Sequence, residues 1–343
     1  MPFCRNKPCF RGTASAIMPY LHGLMATKFC TCRRVLPGGL SITLSLPVMR
    51  KAFIQLHTAI FFAGFTAVLG KLILLNEAML VWYRLIITIL VLTCGMMYKK
   101  QLQLIPVKDM FKIAGVGLIL AIHWVSFYGS VKYANISVAL VCFSATGFFT
   151  ALLEPLLLRK KLVPVELGLG ILAMSGIYVI FDFHPQYKMG IFFGVFSAMG
   201  SAVFPIMNQQ LLHRFTPKTL TLYELGGGFL LMSLILPFYL FKFPASYYWP
   251  SNSDWVWLVI LAVLCTVIAF DLQLRALKKI SAFTANLSYN LEPVYGIILA
   301  FIFFGESKML HAGFFIGLSL IILAIVLQMI LVWWRIKKNR NPS

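Results

Sequence analysis

The chain has 343 residues, of which 60% are hydrophobic and 12% charged, and its mean hydropathy is +0.87. That balance excludes a water-soluble domain of this length and reads as an integral membrane protein. A formal net charge of +20 would suggest nucleic acid in a soluble chain, but here the basic residues cluster between apolar runs, where they orient helices, so a nucleic-acid partner is set aside.

Residues 1–48 are basic, interrupted by Pro and Gly, and free of Asp and Glu, as is the whole chain before Glu77. No apolar run there is long enough to span a bilayer, and the segment reads as a disordered extension. Its composition suits an organelle transit peptide. Met49-Arg50-Lys51 just ahead of a span reads better as a natural start, with the upstream stretch a mis-called extension. Cys4, Cys9, Cys30 and Cys32 lie in this tail, and Cys94, Cys142 and Cys265 inside apolar runs. Their spacing gives neither a zinc pattern nor a disulfide framework.

Ten apolar segments follow, at 53–74, 79–98, 110–131, 136–158, 165–183, 189–211, 219–241, 255–276, 281–304 and 310–334. Each is long enough, or nearly so, to span. The connecting loops alternate in basic density. One side carries Arg50, Lys51, Lys99, Lys100, Lys108, Lys112, Arg159 to Lys161, Arg214, Lys218, Arg275, Lys278, Lys279 and the tail Arg335 to Arg340, whereas the other carries single lysines at 71, 132, 188, 242 and 308. The positive-inside rule then predicts cytoplasmic termini, as an even number of spans requires. Trp249, Trp255, Trp257, Trp333 and Trp334 fall at span ends, where an aromatic belt belongs.

Numbering the spans exposes a repeat. Ala67-Val68 aligns with Ala202-Val203, Tyr83-Arg84 with Tyr223-Glu224, and Ile136-Ser137 with Ile280-Ser281. Five spans per unit is odd, so the units are inverted, the architecture of secondary transporters with a site near the midplane. The predicted fold is an all-α polytopic membrane protein of ten transmembrane helices in two inverted five-helix repeats. Residues 49–183 form the first repeat, 189–334 the second and 335–343 a cytoplasmic basic tail.

Glu292-Pro293 stands at the centre of the ninth span. A helix from Ser281 to Phe304 would run roughly 36 Å, against about 30 Å of hydrocarbon, which puts Glu292 near mid-membrane. A charge is costly there, so Glu292 should face protein or a water-filled cavity, and Pro293 should leave the Tyr289 carbonyl without its helical donor. Ser281, Thr284, Ser288, Glu292 and Tyr295 fall on one helix face. Two readings of Glu292 stand: a packing residue beside a tolerated kink, or a substrate or proton site. The candidate substrate- and proton-binding residues are Glu292, Tyr289, Asn290, Tyr295, His123 and Arg84.

Arg84 lies about a turn inside the second span, so snorkelling and function are both open. His123, among Trp124, Phe127 and Tyr128, reads as a hydrogen-bonded packing residue that could also handle protons. Glu154 is spaced to pair with Arg159, and Asp271 with Arg275 at i,i+4. Glu224, like Asp271, lies near the cytoplasmic face and reads as a gate or a structural pair. Asn208 at the end of the sixth span reads as meeting water. Gly226 to Gly228 permit close helix approach and lack a phosphate-binding lysine.

Three stretches carry a resemblance: FFAGFTAVLGKL (61–72), WYRLIITILVL with Arg84, and LEPVYGIILAFIFFGES (291–307) with Glu306, with TALLEPLLLRKKL (150–162) the first-half counterpart. From about Phe53 to Leu331 the chain resembles the EamA family of the drug/metabolite transporter superfamily, whose members have ten spans in two EamA repeats. Arg159-Lys160-Lys161 departs from the family's Gly-Glu ending and weakens a role for an acid there. The resemblance implies a secondary active transporter that exports a small metabolite or drug-like molecule by alternating access, in the plasma (inner) membrane. Its partners would be a small-molecule substrate and the lipid bilayer, with proton coupling and a homodimer both compatible. No Walker motif supplies ATP-driven energy. No cofactor is expected, and the scattered histidines speak against an enzyme. A channel or a non-transporting membrane scaffold is the alternative.

Overall fold

The computed structural model describes residues 33–35, 41–43, 46–159, 161–183, 185–280, 285, 288, 289 and 291–340. The chain divides into two units, 1–46 and 47–343. In the first, β1 (Arg33–Val35) pairs antiparallel with β2 (Ser41–Thr43), Arg34 standing opposite Ile42. Those strands fall in the stretch that composition reads as unstructured. Pro37, Gly38 and Gly39 between them in sequence are residue types suited to reversing a chain.

The rest is helical. α1 (Leu46–Leu72), α2 (Glu77–Tyr98), α3 (Val107–Tyr133), α4 (Ile136–Phe143), α5 (Thr146–Leu158) and α6 (Pro164–Phe183) form the first half. α7 (Lys188–Leu211), α8 (Pro217–Lys242), α9 (Asn252–Ala262), a π-helical stretch (Val263–Ile268), α10 (Ala269–Leu277), α11 (Leu291–Phe304) and α12 (Ala312–Arg340) form the second. Among the described residues, eight helical segments are long and apolar enough to cross a membrane. Pro164–Ile180 and Leu291–Phe304 are shorter apolar helices, which together make the ten segments read from the sequence. α1 starts at Leu46, ahead of the expected 53, because Pro47 suits a helix's first turn, where its missing N–H costs nothing.

Local chemistry sets the boundaries. Asn76 accepts from the Ala78 N–H at the start of α2, and Asn135 from the Val138 N–H at the start of α4. Ser251 and Asp254 close a capping box on α9. The fourth span breaks into α4 and α5 at Ser144-Ala145, where the Ser144 hydroxyl donates to the Val141 carbonyl at 2.5 Å and the Thr146 hydroxyl to the Phe143 carbonyl at 2.7 Å. Hydroxyls that engage nearby carbonyls compete with the helical ladder.

Three pairs of equal rank in the two halves pack on one another, α2 on α8, α4 on α11 and α6 on α12, while α3 packs on both α7 and α8. That is the packing expected of two repeats related by a pseudo-two-fold axis. Two crossings require glycine. A Cβ on Gly228 would lie 2.5 Å from the Gly117 carbonyl oxygen where α8 meets α3, and one on Gly176 would lie 2.6 Å from the Gly317 carbonyl oxygen where α6 meets α12. Backbone approach of this kind is how membrane helices gain packing energy, since lipid offers no hydrophobic drive between them. Outward-facing Leu234, Phe238 and Phe241 are exposed, as lipid-facing side chains are.

Candidate functional site: a cavity between the two halves

The helix breaks converge on one place. Arg84 on α2, His123 on α3, Ser144 at the α4–α5 break, Ser201 on α7, Cys265 in the π-helical stretch and Glu292 on α11 all line a cavity of about 80 Å³. A water needs about 10–15 Å³ of such space, so several waters or a small ligand group would fit. Trp124, Phe127, Phe143, Phe204 and Phe270 supply most of its apolar wall.

Arg84 does not snorkel: it is 1% exposed. Its Nε donates to Thr266 Oγ1 at 2.9 Å, Nη1 to the Tyr128 hydroxyl at 2.8 Å, and Nη2 to the Cys265 carbonyl at 3.5 Å. The guanidinium carbon lies 3.7 Å from the Trp124 ring centroid, a cation–π placement. The π-helical stretch makes this possible. Its wider turn presents Thr266, whose hydroxyl donates back to the Leu261 carbonyl at 3.0 Å, and offers the Cys265 carbonyl to a side chain. These partners are neutral, so the guanidinium charge is held in place without being cancelled.

His123 is held by α7. Its Nδ1 lies 2.9 Å from the Ser197 carbonyl oxygen and 2.8 Å from Ser197 Oγ, while that hydroxyl donates to the His123 carbonyl at 3.1 Å. A carbonyl only accepts, so Nδ1 carries a proton and donates to it. The ring stacks on Phe143 with centroids 5.6 Å apart.

Glu292 sits in the first turn of α11 and is 6% exposed. Arg84 and Glu292 border the same cavity from the two halves of the chain. Pro293 lies where its missing N–H breaks no helical bond. Pro205, inside α7, withholds a donor from the Ser201 carbonyl. Each proline thus lines the cavity together with the residue four before it, Tyr289 or Ser201.

Of the six residues singled out in the sequence, Arg84, His123, Tyr289 and Glu292 border this cavity. Tyr295 does not: its ring stands edge-on to Phe61 at 6.2 Å, against α1. Asn290, like Ser281 and Thr284 of the expected polar stripe, lies outside the described residues. Sequence reading passed over Thr66, Ser144, Thr146, Ser201 and Gln273, which also line it. Asp271 and Arg275 pair at 2.7 Å as spacing predicted. Asn208 does not meet water; it is fully buried and its Nδ2 donates to Glu224 Oε2 at 3.2 Å.

Polar bonds join helices toward both ends of the bundle. At the end poor in basic loops, Glu306 accepts from the Ile136 N–H at 3.1 Å, the Ser137 N–H at 2.9 Å and the Ser137 hydroxyl at 2.7 Å, with Lys71 Nζ at 3.7 Å. The carboxylate thus caps α4 from the far half of the chain. Nearby, Lys132 donates to the Ile73 and Leu75 carbonyls, Asp254 accepts from the Leu74 N–H at 2.8 Å, and the Tyr239 hydroxyl donates to Glu77 at 2.6 Å. At the basic end, Arg214 makes two parallel 2.7 Å bonds to Asp109.

The family described as the EamA-like transporter family matches residues 50–182 and again 188–340. The chain is 25% identical to an uncharacterized transporter of Archaeoglobus fulgidus, over 51% of this chain and 57% of that protein. It is 25% identical to the uncharacterized transporter YetK of Bacillus subtilis, over 79% of this chain and 84% of that one. An uncharacterized transporter of Haemophilus influenzae is 27% identical over 43% of this chain and 51% of its own length. The chain therefore spans little more than half the length of the archaeal and Haemophilus relatives it matches. A solved crystal structure superposes with a TM-score of 0.60 at 17% identity, over 82% of this chain and 98% of that one, a likeness of fold alone.

Proposed function

Because the chain belongs to the EamA-like transporter family, we propose that it is a secondary active transporter that moves a small metabolite or drug-like molecule out of the cell by alternating access. The carrying observation is convergence: Arg84 and His123 from one half, and Glu292 from the other, meet at a single cavity. Residues separated by most of the chain have no local reason to share a space. A site at the seam of two inverted repeats is where alternating access needs one, since rocking one half against the other exposes it to each side in turn.

In this reading Arg84 is the fixed cation and Trp124 its platform, so that a polar or anionic group of the substrate docks on the unused guanidinium donors. Glu292 is the titrating group. A carboxylate near mid-membrane is costly to leave ionised, and substrate and proton therefore compete for its charge. Ser201 contributes a carbonyl freed by Pro205, and Tyr289 borders the same cavity. The bonds around Glu306, Lys132 and Asp254 hold one end shut, and the Asp109–Arg214 pair the other. The basic loops support cytoplasmic termini in this reading, with the plasma membrane as its setting, so positions near Lys188 and Lys308 should label from outside and positions near Lys279 from inside.

The test is transport by protein reconstituted into liposomes, using a compound selected by its thermal stabilisation of the protein. A carrier gives uptake stimulated by the same compound on the far side, whereas a channel does not and a scaffold gives no uptake. Glu292→Gln keeps the size of the side chain and removes its titration. It should abolish pH-driven net transport and leave exchange in place; normal pH dependence in that variant would make Glu292 a packing residue.

A further inference from the structure

Asn208 on α7 and Glu224 on α8 are both fully buried, and one bond joins them, from Nδ2 to Oε2. The remaining oxygens, Asn208 Oδ1 and Glu224 Oε1, are buried and have no hydrogen-bond partner. Both are acceptors if the carboxyl is ionised. Two buried acceptors without a donor are expensive in a low-dielectric interior. Charge does not rescue them. On α3, Asp109 is bonded to Arg214, Lys108 and Lys112 are exposed, and His123 is bonded to Ser197. On α10, Asp271 is paired with Arg275; on α2, Arg84 is engaged by Tyr128 and Thr266 and Lys99 is exposed; α7 carries no charged residue beyond Lys188 at its far end.

We propose that Asn208 and Glu224 form a proton-binding site separate from the transport cavity, with Glu224 held as the neutral acid. A proton on Oε1 converts it from orphan acceptor to donor, and the amide offers Oδ1 beside the Nδ2 already bonded. The acid and the amide then close a two-bond ring, and one proton satisfies both orphan oxygens. A metal ion fits less well, because the described residues bring together no group of three or more His, Cys, Asp or Glu side chains.

The position gives the proton a consequence. The Glu224 backbone packs directly on Gly117, and Gly228 on the Gly117 carbonyl, so the pair stands at the tightest part of the α3–α8 crossing. Asn208 is one turn from Pro205 and Gly117 one turn from Leu120, both of which line the cavity. Ionised Glu224 would demand water at a seam that has no room for it. Loss of the proton therefore loosens α8 from α3 at the basic end, beside the Asp109–Arg214 pair.

The experiment is infrared spectroscopy of the purified full chain in lipid nanodiscs at neutral pH, in H2O and in D2O, and it needs no substrate. Its outcome is thus independent of the transport reading. The wild type should show the carbonyl stretch of a protonated carboxylic acid, sensitive to D2O. Glu224→Gln should lose that band, Glu292→Gln should keep it, and Asn208→Ala should shift it by removing both bonds. If Glu224→Gln does not fold, the Asn208→Ala shift alone decides. A neutral-pH spectrum unchanged by Glu224→Gln, or a band unmoved by Asn208→Ala, overturns the proposal, as does stabilisation by sodium that Glu224→Gln abolishes. An ionised Glu224 bridged by water would give the first of these results.

Discussion

Arg84 and Glu224 occupy the second helices of the two matched halves, each one residue after a tyrosine, yet their surroundings are opposite in kind. Arg84 has a hydroxyl, a phenol and a carbonyl on its donors and an indole beneath it, and it borders the cavity. Glu224 has one amide, leaves an oxygen orphaned, and lies outside the cavity lining. Both are 1% exposed or less. Burial alone therefore does not mark a charge as functional in a membrane protein. What distinguishes the two is whether the surroundings supply partners for the charged form. Around Arg84 they do, with neutral partners that leave the charge available to a ligand; around Glu224 they supply partners for the neutral form.

That contrast breaks most readily at Arg84. Arg84→Ala removes three hydrogen bonds and the stacked cation and leaves the Thr266 and Tyr128 hydroxyls to find new partners. It should cost about 3–5 kcal/mol, at roughly 1.5–3 kcal/mol per charged bond and allowing for relaxation, and should abolish transport. Arg84→Lys keeps the charge without the fork and should recover folding, read as thermal stability, better than transport. Equal transport by Arg84→Lys and wild type would remove the guanidinium geometry from the account.

The glycine seam beside Glu224 gives the next effect. Gly228→Ala puts a methyl 2.5 Å from the Gly117 carbonyl oxygen, and overpacking of this kind should cost about 1–3 kcal/mol. Gly226, on the same helix, has nothing within 4 Å of a new Cβ; Gly226→Ala should be neutral or gain up to ~1 kcal/mol from helix propensity. Thermal melts of the two variants side by side check this, and equal losses would deny the close crossing.

A smaller change is expected at Glu306, which caps α4 away from both regions. Glu306→Ala should cost about 1 kcal/mol, the usual worth of an N-terminal cap, and should raise amide exchange in the first turn of α4. Smallest of all is Asp271→Asn. Its pair with Arg275 is half-exposed, and i,i+4 pairs are worth about 0.3–0.5 kcal/mol, so its melting temperature should stay close to that of the wild type.

Much of this arrangement was legible in the sequence, for physical reasons. Lone ionisable residues in apolar helices carry their cost locally, and that is why His123 and Glu292 stood out. The ten apolar segments and the ordering of the repeat were visible because hydropathy and the alternation of basic loops are properties of each segment. In sequence alone Arg84 admits two readings, because its deciding partners, Tyr128 and Thr266, lie 44 and 182 residues away. The π-helical stretch that presents Thr266 has no signature in VLCTVI. Ser144, Thr146 and Ser201 were passed over since a hydroxyl in a span can satisfy itself on a carbonyl of its own helix, as Ser144 and Thr146 do. Pro205 was the readable signal that was missed, because it frees the Ser201 carbonyl just as Pro293 was expected to free that of Tyr289. Tyr295 was misplaced by projecting one continuous stripe from Ser281, whereas the described part of that span packs Tyr295 toward α1. Glu306 was noticed within a motif, but its work on α4 is done 169 and 170 residues away.

In the proposed mechanism the cavity shared by Arg84, His123 and Glu292 opens to each side of the membrane in turn. Ser201 lines that cavity and is half-buried, so Ser201→Cys, with the native cysteines replaced, reports on it without knowledge of the substrate. A hydrophilic thiol reagent applied to sealed vesicles should label position 201 to completion from either side, while the reagent itself does not cross. Labelling from one side only, or passage of the reagent through the protein, would contradict alternating access at this site.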